Sequence, residues 1–143
     1  MKIANFSPIA LCLVYVLACL PEMAQELKRY PGAQFDEKVS RQASQAAPGK
    51  QSEVYTTADT FENVYAFYKR LYKEYTMPMP PPQLPSGKKL QWAFFILDGG
   101  KNLSASKYWI KIQHPYVGTV ADVADAEFQD IRDVTAIQTV HPK

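Results

Sequence analysis

The sequence predicts an α+β fold, a two-layer sandwich with one main helix lying across an antiparallel sheet of about five strands, in the order β-β-α-β-β-β. Three features predict it. Apolar and aromatic side chains recur at spacings of three and four from Phe61 to Tyr75, the period of a helix with one buried face. Two runs, Leu90–Leu97 and Tyr108–Ile112, are rich in β-branched and aromatic residues, and the turn sequence Asp98-Gly99-Gly100 separates them. With 143 residues, 47% hydrophobic and 13% aromatic, the chain has the apolar content of one ordinary folding domain.

Charge narrows the function classes. The 16 Lys and Arg stand against 14 Asp and Glu, a formal net charge of +2. A protein that holds nucleic acid through bulk charge carries a clustered basic excess, so that class is excluded.

Residues 1–24 read as an address. Lys2 supplies a thin positive start, and Ile9–Leu20 is an unbroken apolar run of 12 residues. A membrane-spanning helix needs about 20 such residues, so the run is too short to span and fits the core of a signal peptide. Export to the periplasm or envelope is the expectation. Two routes of processing stay open. Val16-Leu17-Ala18-Cys19 resembles a bacterial lipoprotein box, which makes Cys19 the candidate lipidation site, although Leu17 is bulky for its place. The rival is cleavage after Ala24, where Pro21 ends the apolar helix but Glu22 sits where a small residue is wanted. Acyl chains on Cys19 would hold the domain at a membrane surface, and cleavage after Ala24 would release it. Cys12 and Cys19 both lie in this leader. The domain from 25 to 143 therefore stands on its core without disulfides, and a thiolate metal site is excluded.

The domain opens with a turn at Pro31-Gly32, a weak strand over Gln34–Val39, and a polar stretch of Gln, Ser and Ala that ends in a turn at Pro48-Gly49. Glu53–Thr57 reads as a short strand. Asp59 is a good helix N-cap, and Glu62 three residues on completes a capping box. The helix then runs from Thr60 to Tyr75. Its buried face carries Phe61, Val64, Tyr65, Tyr68, Leu71, Tyr72 and Tyr75, and its outer face carries an Arg70–Glu74 pair. Such a helix is marginal alone in water and needs a sheet to lie on. Each large side chain it buries stabilises by about 1.5–3 kcal/mol.

Residues 76–88 form a proline-rich connector, read as a stiff spacer in preference to a docking site for a proline-recognition module. Leu90–Leu97 is apolar on both faces, as in a strand covered on both sides. In Tyr108–Ile112 the alternation puts Tyr108, Ile110 and Ile112 inward and Lys107, Trp109 and Lys111 outward. Val134–Val140 is the last strand.

No constellation for catalysis stands out. Ser104-x-x-Lys107 matches the serine-lysine spacing of some hydrolases, but it runs into an alternating strand that throws the two side chains apart. His114 and His141 both precede proline and read as loop or strand-end residues. Asp122, Asp125, Glu127, Asp130 and Asp133 could offer oxygen ligands to calcium, yet the EF-hand pattern fails, and a solvated acidic loop is the reading kept. Lys88, Lys89, Lys101, Lys107 and Lys111 form a basic counterpart. Lys107 and Lys111 flank Trp109, an arrangement that could stack a base or sugar, and strand-edge protection is preferred. Asn102-Leu103-Ser104 is a glycosylation sequon, meaningful only in a eukaryotic secretory host. No cofactor or metal is expected.

Tyr30-Pro31-Gly32-Ala33, Tyr55-Thr56-Thr57 with Asp59, and Val64-x-x-Phe67-Tyr68 resemble a group of small exported bacterial proteins or lipoproteins of unknown function. In those a Tyr-Pro-Gly-Ala segment precedes a Thr/Ser-Asp helix cap and a Val-x-x-Phe-Tyr helix. The likeness runs to Tyr75. The proline connector and acidic stretch depart from it. It implies an envelope domain without an assigned activity and carries over no catalytic residue.

The expectation is a non-enzymatic, exported envelope domain that works through protein contacts or self-association, because the second apolar face of Leu90–Leu97 needs a cover. The alternative is a small apolar ligand or lipid bound between helix and sheet, lined by Tyr65, Tyr68, Tyr72 and Trp92. Trp109 joins them as a candidate ligand or interface residue. Partners would be a second copy, another envelope protein, or a membrane surface through Cys19.

Overall fold

Strand alternation and one open sheet edge organise the molecule. The computed structural model describes residues 26–118 and 130–143. Cys12, Cys19, Asp122, Asp125 and Glu127 lie outside the described residues, so the leader and most of the acidic stretch are not placed. The elements follow as β1 (Gln34–Phe35), α1 (Glu37–Ala46), β2 (Lys50–Thr57), α2 (Phe61–Lys69), β3 (Lys73–Tyr75), β4 (Gln91–Ile96), β5 (Trp109–His114), β6 (Tyr116–Val117), β7 (Ile131–Arg132) and β8 (Thr135–Pro142). Six of the strands make one antiparallel sheet in the order β1-β2-β8-β5-β4-β3, and β6 and β7 form a small separate ribbon. The fold is α+β and antiparallel, with helices packed on the sheet. No described helix is long and apolar enough to cross a membrane.

Registers decide which side chains share a face. Tyr55 of β2, Ile137 of β8, Ile112 of β5 and Ala93 of β4 lie in line across the sheet. They pack with Phe95, Ile110, Val64, Tyr68 and Tyr72 into the main core under α2. The alternate residues point the other way. Val54 and Ala136 meet Val39 and Tyr116 in a smaller cluster under α1. The two helices thus cover opposite faces.

The helix α1 occupies ground where the sequence predicts a strand followed by polar chain. Asp36 caps it, accepting from the Val39 amide at 3.0 Å, and Arg41 pairs with Glu37 one turn back at 2.7 Å. Its apolar stripe is only Val39 and Ala43. Hydroxyls bind it to the sheet. The outer edge of β2 pairs with β1 at Thr56 and Tyr55 only, and the next free groups are taken up in sequence. The Asp36 amide donates to the Val54 carbonyl at 2.8 Å. The Val54 amide donates to Ser40 Oγ at 2.8 Å, and Ser44 Oγ takes both backbone groups of Ser52. Serines one turn apart therefore act as a substitute strand, closing an edge that would otherwise be open to pairing.

The helix α2 is shorter than its pattern predicts. Thr60, not Asp59, is the N-cap, accepting from the Asn63 amide at 3.3 Å, while Asp59 accepts from the Tyr30 hydroxyl at 2.7 Å. The helix stops at Lys69, and Tyr75 lies in β3 paired with Phe94. Period alone cannot see this stop, because Leu71, Tyr72 and Tyr75 continue the helical spacing after the chain has turned. Glu74 accordingly pairs with Lys69, not Arg70, and also accepts from the Tyr65 hydroxyl at 2.8 Å.

Candidate functional site

The antiparallel pairing that places Ile110 and Ile112 under α2 sends Trp109, Lys111 and Gln113 to the opposite face. There a cavity of about 370 Å3 lies between α1 and the sheet. Trp109, Lys111 and Gln113 of β5 line it with Gln138 and Val140 of β8, and Val39 and Ala43 of α1 form its roof. Small side chains explain the space. Ala43, Ala46, Ala47, Ser52 and Ala136 all border it, and none reaches far enough to fill the gap under a helix.

The β6–β7 ribbon closes one end and ties the roof down. The Arg132 guanidinium sits 4.4 Å from the Tyr116 ring centroid, and its Nη1 pairs with Asp36 Oδ2 at 3.1 Å. Its Nε lies 3.5 Å from Asp130 Oδ1, an ion pair without hydrogen-bond alignment. Asp36 is also the cap of α1. The Val39 amide holds its carboxyl below the usual range, and Arg132 adds to this against the opposing effect of burial.

The polar groups in the wall are unbalanced. Lys111 is half-buried, and desolvation pushes its ammonium below the usual lysine range. Among the described residues no carboxylate lies within ion-pair distance of it, and the Trp92 ring centroid is 6.0 Å from Nζ. Trp109 Nε1 is buried and has no acceptor among the described residues. A buried donor without a partner costs about 1–3 kcal/mol. The glutamine amides are already engaged, Gln138 Nε2 with Ser52 Oγ at 3.2 Å and Gln113 Nε2 with the Pro115 carbonyl at 3.4 Å.

The four residues expected to line one cavity do not converge. Tyr65, Tyr68 and Tyr72 belong to the α2 face, where Tyr68 is 1% exposed inside the core and burial drives its phenol pKa far up. The Tyr72 hydroxyl donates to the Glu26 carbonyl at 2.6 Å and accepts from the Lys28 amide at 2.7 Å. Trp92 lies on the other face, edge-on to Phe94 with ring centroids 5.6 Å apart. The reason is the pleat: Ala93 and Phe95 point to α2, so Trp92 and Phe94 cannot. Trp109 and Lys111 are not outward on an edge either, since β5 lies between β8 and β4. The edge-protection reading of Lys111 therefore falls. What sequence reasoning missed is α1, and with it the roof. The signal was Ser40 and Ser44 set one turn apart beside Val39 and Ala43.

His114 Nε2 lies 3.3 Å from Asp133 Oδ1, and His114 Nδ1 is 3.1 Å from Thr135 Oγ1. This looks like a relay, but Thr135 is fully buried and donates its proton to the Asp59 carbonyl at 2.7 Å, so it presents no nucleophile. Asp133 also pairs with Lys88 at 2.8 Å. Ser104 and Lys107 are exposed loop residues, and His141 Nδ1 faces the Pro142 carbonyl at 2.9 Å. The neighbouring Ser106 is buried, donating to Asp98 at 2.6 Å. No group of three or more His, Cys, Asp and Glu among the described residues could hold a metal ion. Set against known protein families, curated proteins and solved structures, the chain matches none of them.

Proposed function

We propose that this chain is an exported, non-catalytic binding domain that holds a small apolar ligand between α1 and the sheet. The observation that carries it is the cavity of about 370 Å3, walled largely by Val39, Val54, Val140, alanines and the Trp109 ring. Small-molecule sites are concave, mostly apolar and marked by a few polar groups, and this cavity has that character. Phe94 and Ile96 on the second face of β4 are 6% and 7% exposed, which favours this reading over self-association. The apolar run ending at Leu20 supports delivery outside the cytoplasm.

Calorimetric titration with decanol tests the reading. Saturable binding by the wild-type chain is expected, and Ala43→Leu, which grows the roof into the cavity, should abolish it without loss of fold. Unchanged binding by that variant would move the ligand elsewhere, and failure of the wild type to bind decanol or any charged counterpart with the same tail would remove the proposal. Mass spectrometry of the mature N-terminus from the native host checks the address. An acylated Cys19 or a free Gln25 supports export, and an intact residue 1 overturns it.

A further inference from the structure

We propose that the ligand is an amphipathic monocarboxylate, its apolar chain lying under α1 and its head group taken by Lys111 Nζ and Trp109 Nε1. The inference rests on the cavity reading above and adds the chemistry of the head.

Three observations converge on it. Trp109 and Lys111 are two residues apart on one strand, so both project from the same face into the same cavity. One brings a positive charge and the other an orphaned N–H. Neither has an anionic partner among the described residues. Buried donors in folded proteins are satisfied, so a wall that sets a free buried N–H beside a half-buried cation is complementary to an acceptor with negative charge. The rest of the lining sets the other half of the molecule. Val39, Val54, Val140 and the alanines offer contact without hydrogen bonds. A neutral apolar molecule would leave both donors unsatisfied. A second cation would be repelled by Lys111. A phosphate monoester carries nearly two negative charges against the single positive charge of Lys111, whereas a carboxylate carries one.

The lysine also fits the task as a point charge. Its long stem covers apolar surface beside Trp92, and the ammonium can adjust its position at the end of the chain. In the low dielectric of the cavity a charged hydrogen bond is stronger than in water.

The test compares three probes with one tail, decanoate, decanol and decylamine, by calorimetry on the chain purified from its envelope. Decanoate should bind at least about tenfold more tightly than decanol, as expected for a charged hydrogen bond. Lys111→Met keeps the stem and removes the charge, so it should erase that preference while decanol still binds. Retained decanol binding shows the variant to be folded. Trp109→Phe keeps most of the ring and should narrow the preference by a few fold. Equal affinity for decanoate and decanol in the wild type overturns the head-group assignment and leaves the cavity reading intact. Tighter binding of decylamine overturns it too, as does a preference that survives in Lys111→Met. Failure of all three probes to bind overturns both readings together.

Discussion

Ser44 Oγ accepts a hydrogen bond from the Ser52 amide at 2.9 Å and donates one to the Ser52 carbonyl at 3.1 Å. One hydroxyl thus pairs with a strand residue as a neighbouring strand would. With Ser40 one turn earlier, it fixes the roof of the cavity to the open edge of β2.

Removing these hydroxyls should loosen α1 selectively. Ser40→Ala strands the buried Val54 amide and should cost about 1–3 kcal/mol in denaturant unfolding. Ser44→Ala should cost less, because Ser44 is only half-buried and water can replace it. Hydrogen exchange should quicken at Ser52 and Val54 before it quickens in β5. Equal stability of all variants would show that α1 is held by Val39 and Ala43 alone.

Gly100→Ala tests the loop between β4 and β5. A Cβ there would meet Ser106 Cβ at 2.9 Å and Ser106 Cα at 3.0 Å, and the backbone contact cannot swing away. Overpacking of this kind costs about 1–3 kcal/mol. Thermal melting should show the loss, and a melting point equal to wild type would mean that the loop shifts freely.

The same loop gives an acid sensitivity with a definite sign. Burial would raise the Asp98 carboxyl, but hydrogen bonds from the Ser106 hydroxyl and the Lys107, Gly100 and Tyr108 amides together outweigh it and hold the carboxyl below its usual range. A depressed folded-state pKa stabilises above the unfolded value of about 3.9, and that contribution is lost as pH falls through the folded value. Asp36 acts in the same direction. Urea unfolding should therefore weaken below about pH 4, and Asp98→Asn should flatten the slope. A slope identical to wild type would assign the acid loss to other carboxylates.

Lys111 predicts the opposite edge of the pH range. Its ammonium is lowered in the folded state, so the unfolded chain binds more protons between the folded value and about 10.4, and stability rises with pH there. The groups sharing its face are Trp92, Phe94, Trp109, Gln113 and Gln138, with the Tyr116 phenol, which burial raises above its usual value, across the cavity. Lys111→Met should equal or exceed the wild type in stability at neutral pH and should lack the rise. A rise of equal size in the variant would place its source in another group.

The fold class was legible because burial on both faces of Leu90–Leu97 and the stripe behind Phe61 are strong, local signals. The α1 helix was not. Its apolar stripe is two residues wide, and serine hydroxyls, which local pattern reads as loop, carry its docking. The sequence sets Trp109 beside Lys111, but alternation alone assigns both to solvent. Only the topology, which inserts β8 between β2 and β5, turns that face inward. The tyrosine set failed for a simpler reason: period shows which residues share a helix face, not whether the space beneath is already filled by Phe95, Ile110 and Ile112.

The Tyr72 phenol grips the backbone at Glu26 and Lys28, and that grip decides how a leash would orient the domain. Six residues lie between Cys19 and Glu26, seven steps of chain with a reach of at most about 25 Å when fully extended. A chain moored by its nineteenth residue would hang from the α2 side, with the pull running into the tyrosine core. The opposite side, carrying Lys111, would then look away from the bilayer and toward whatever diffuses past.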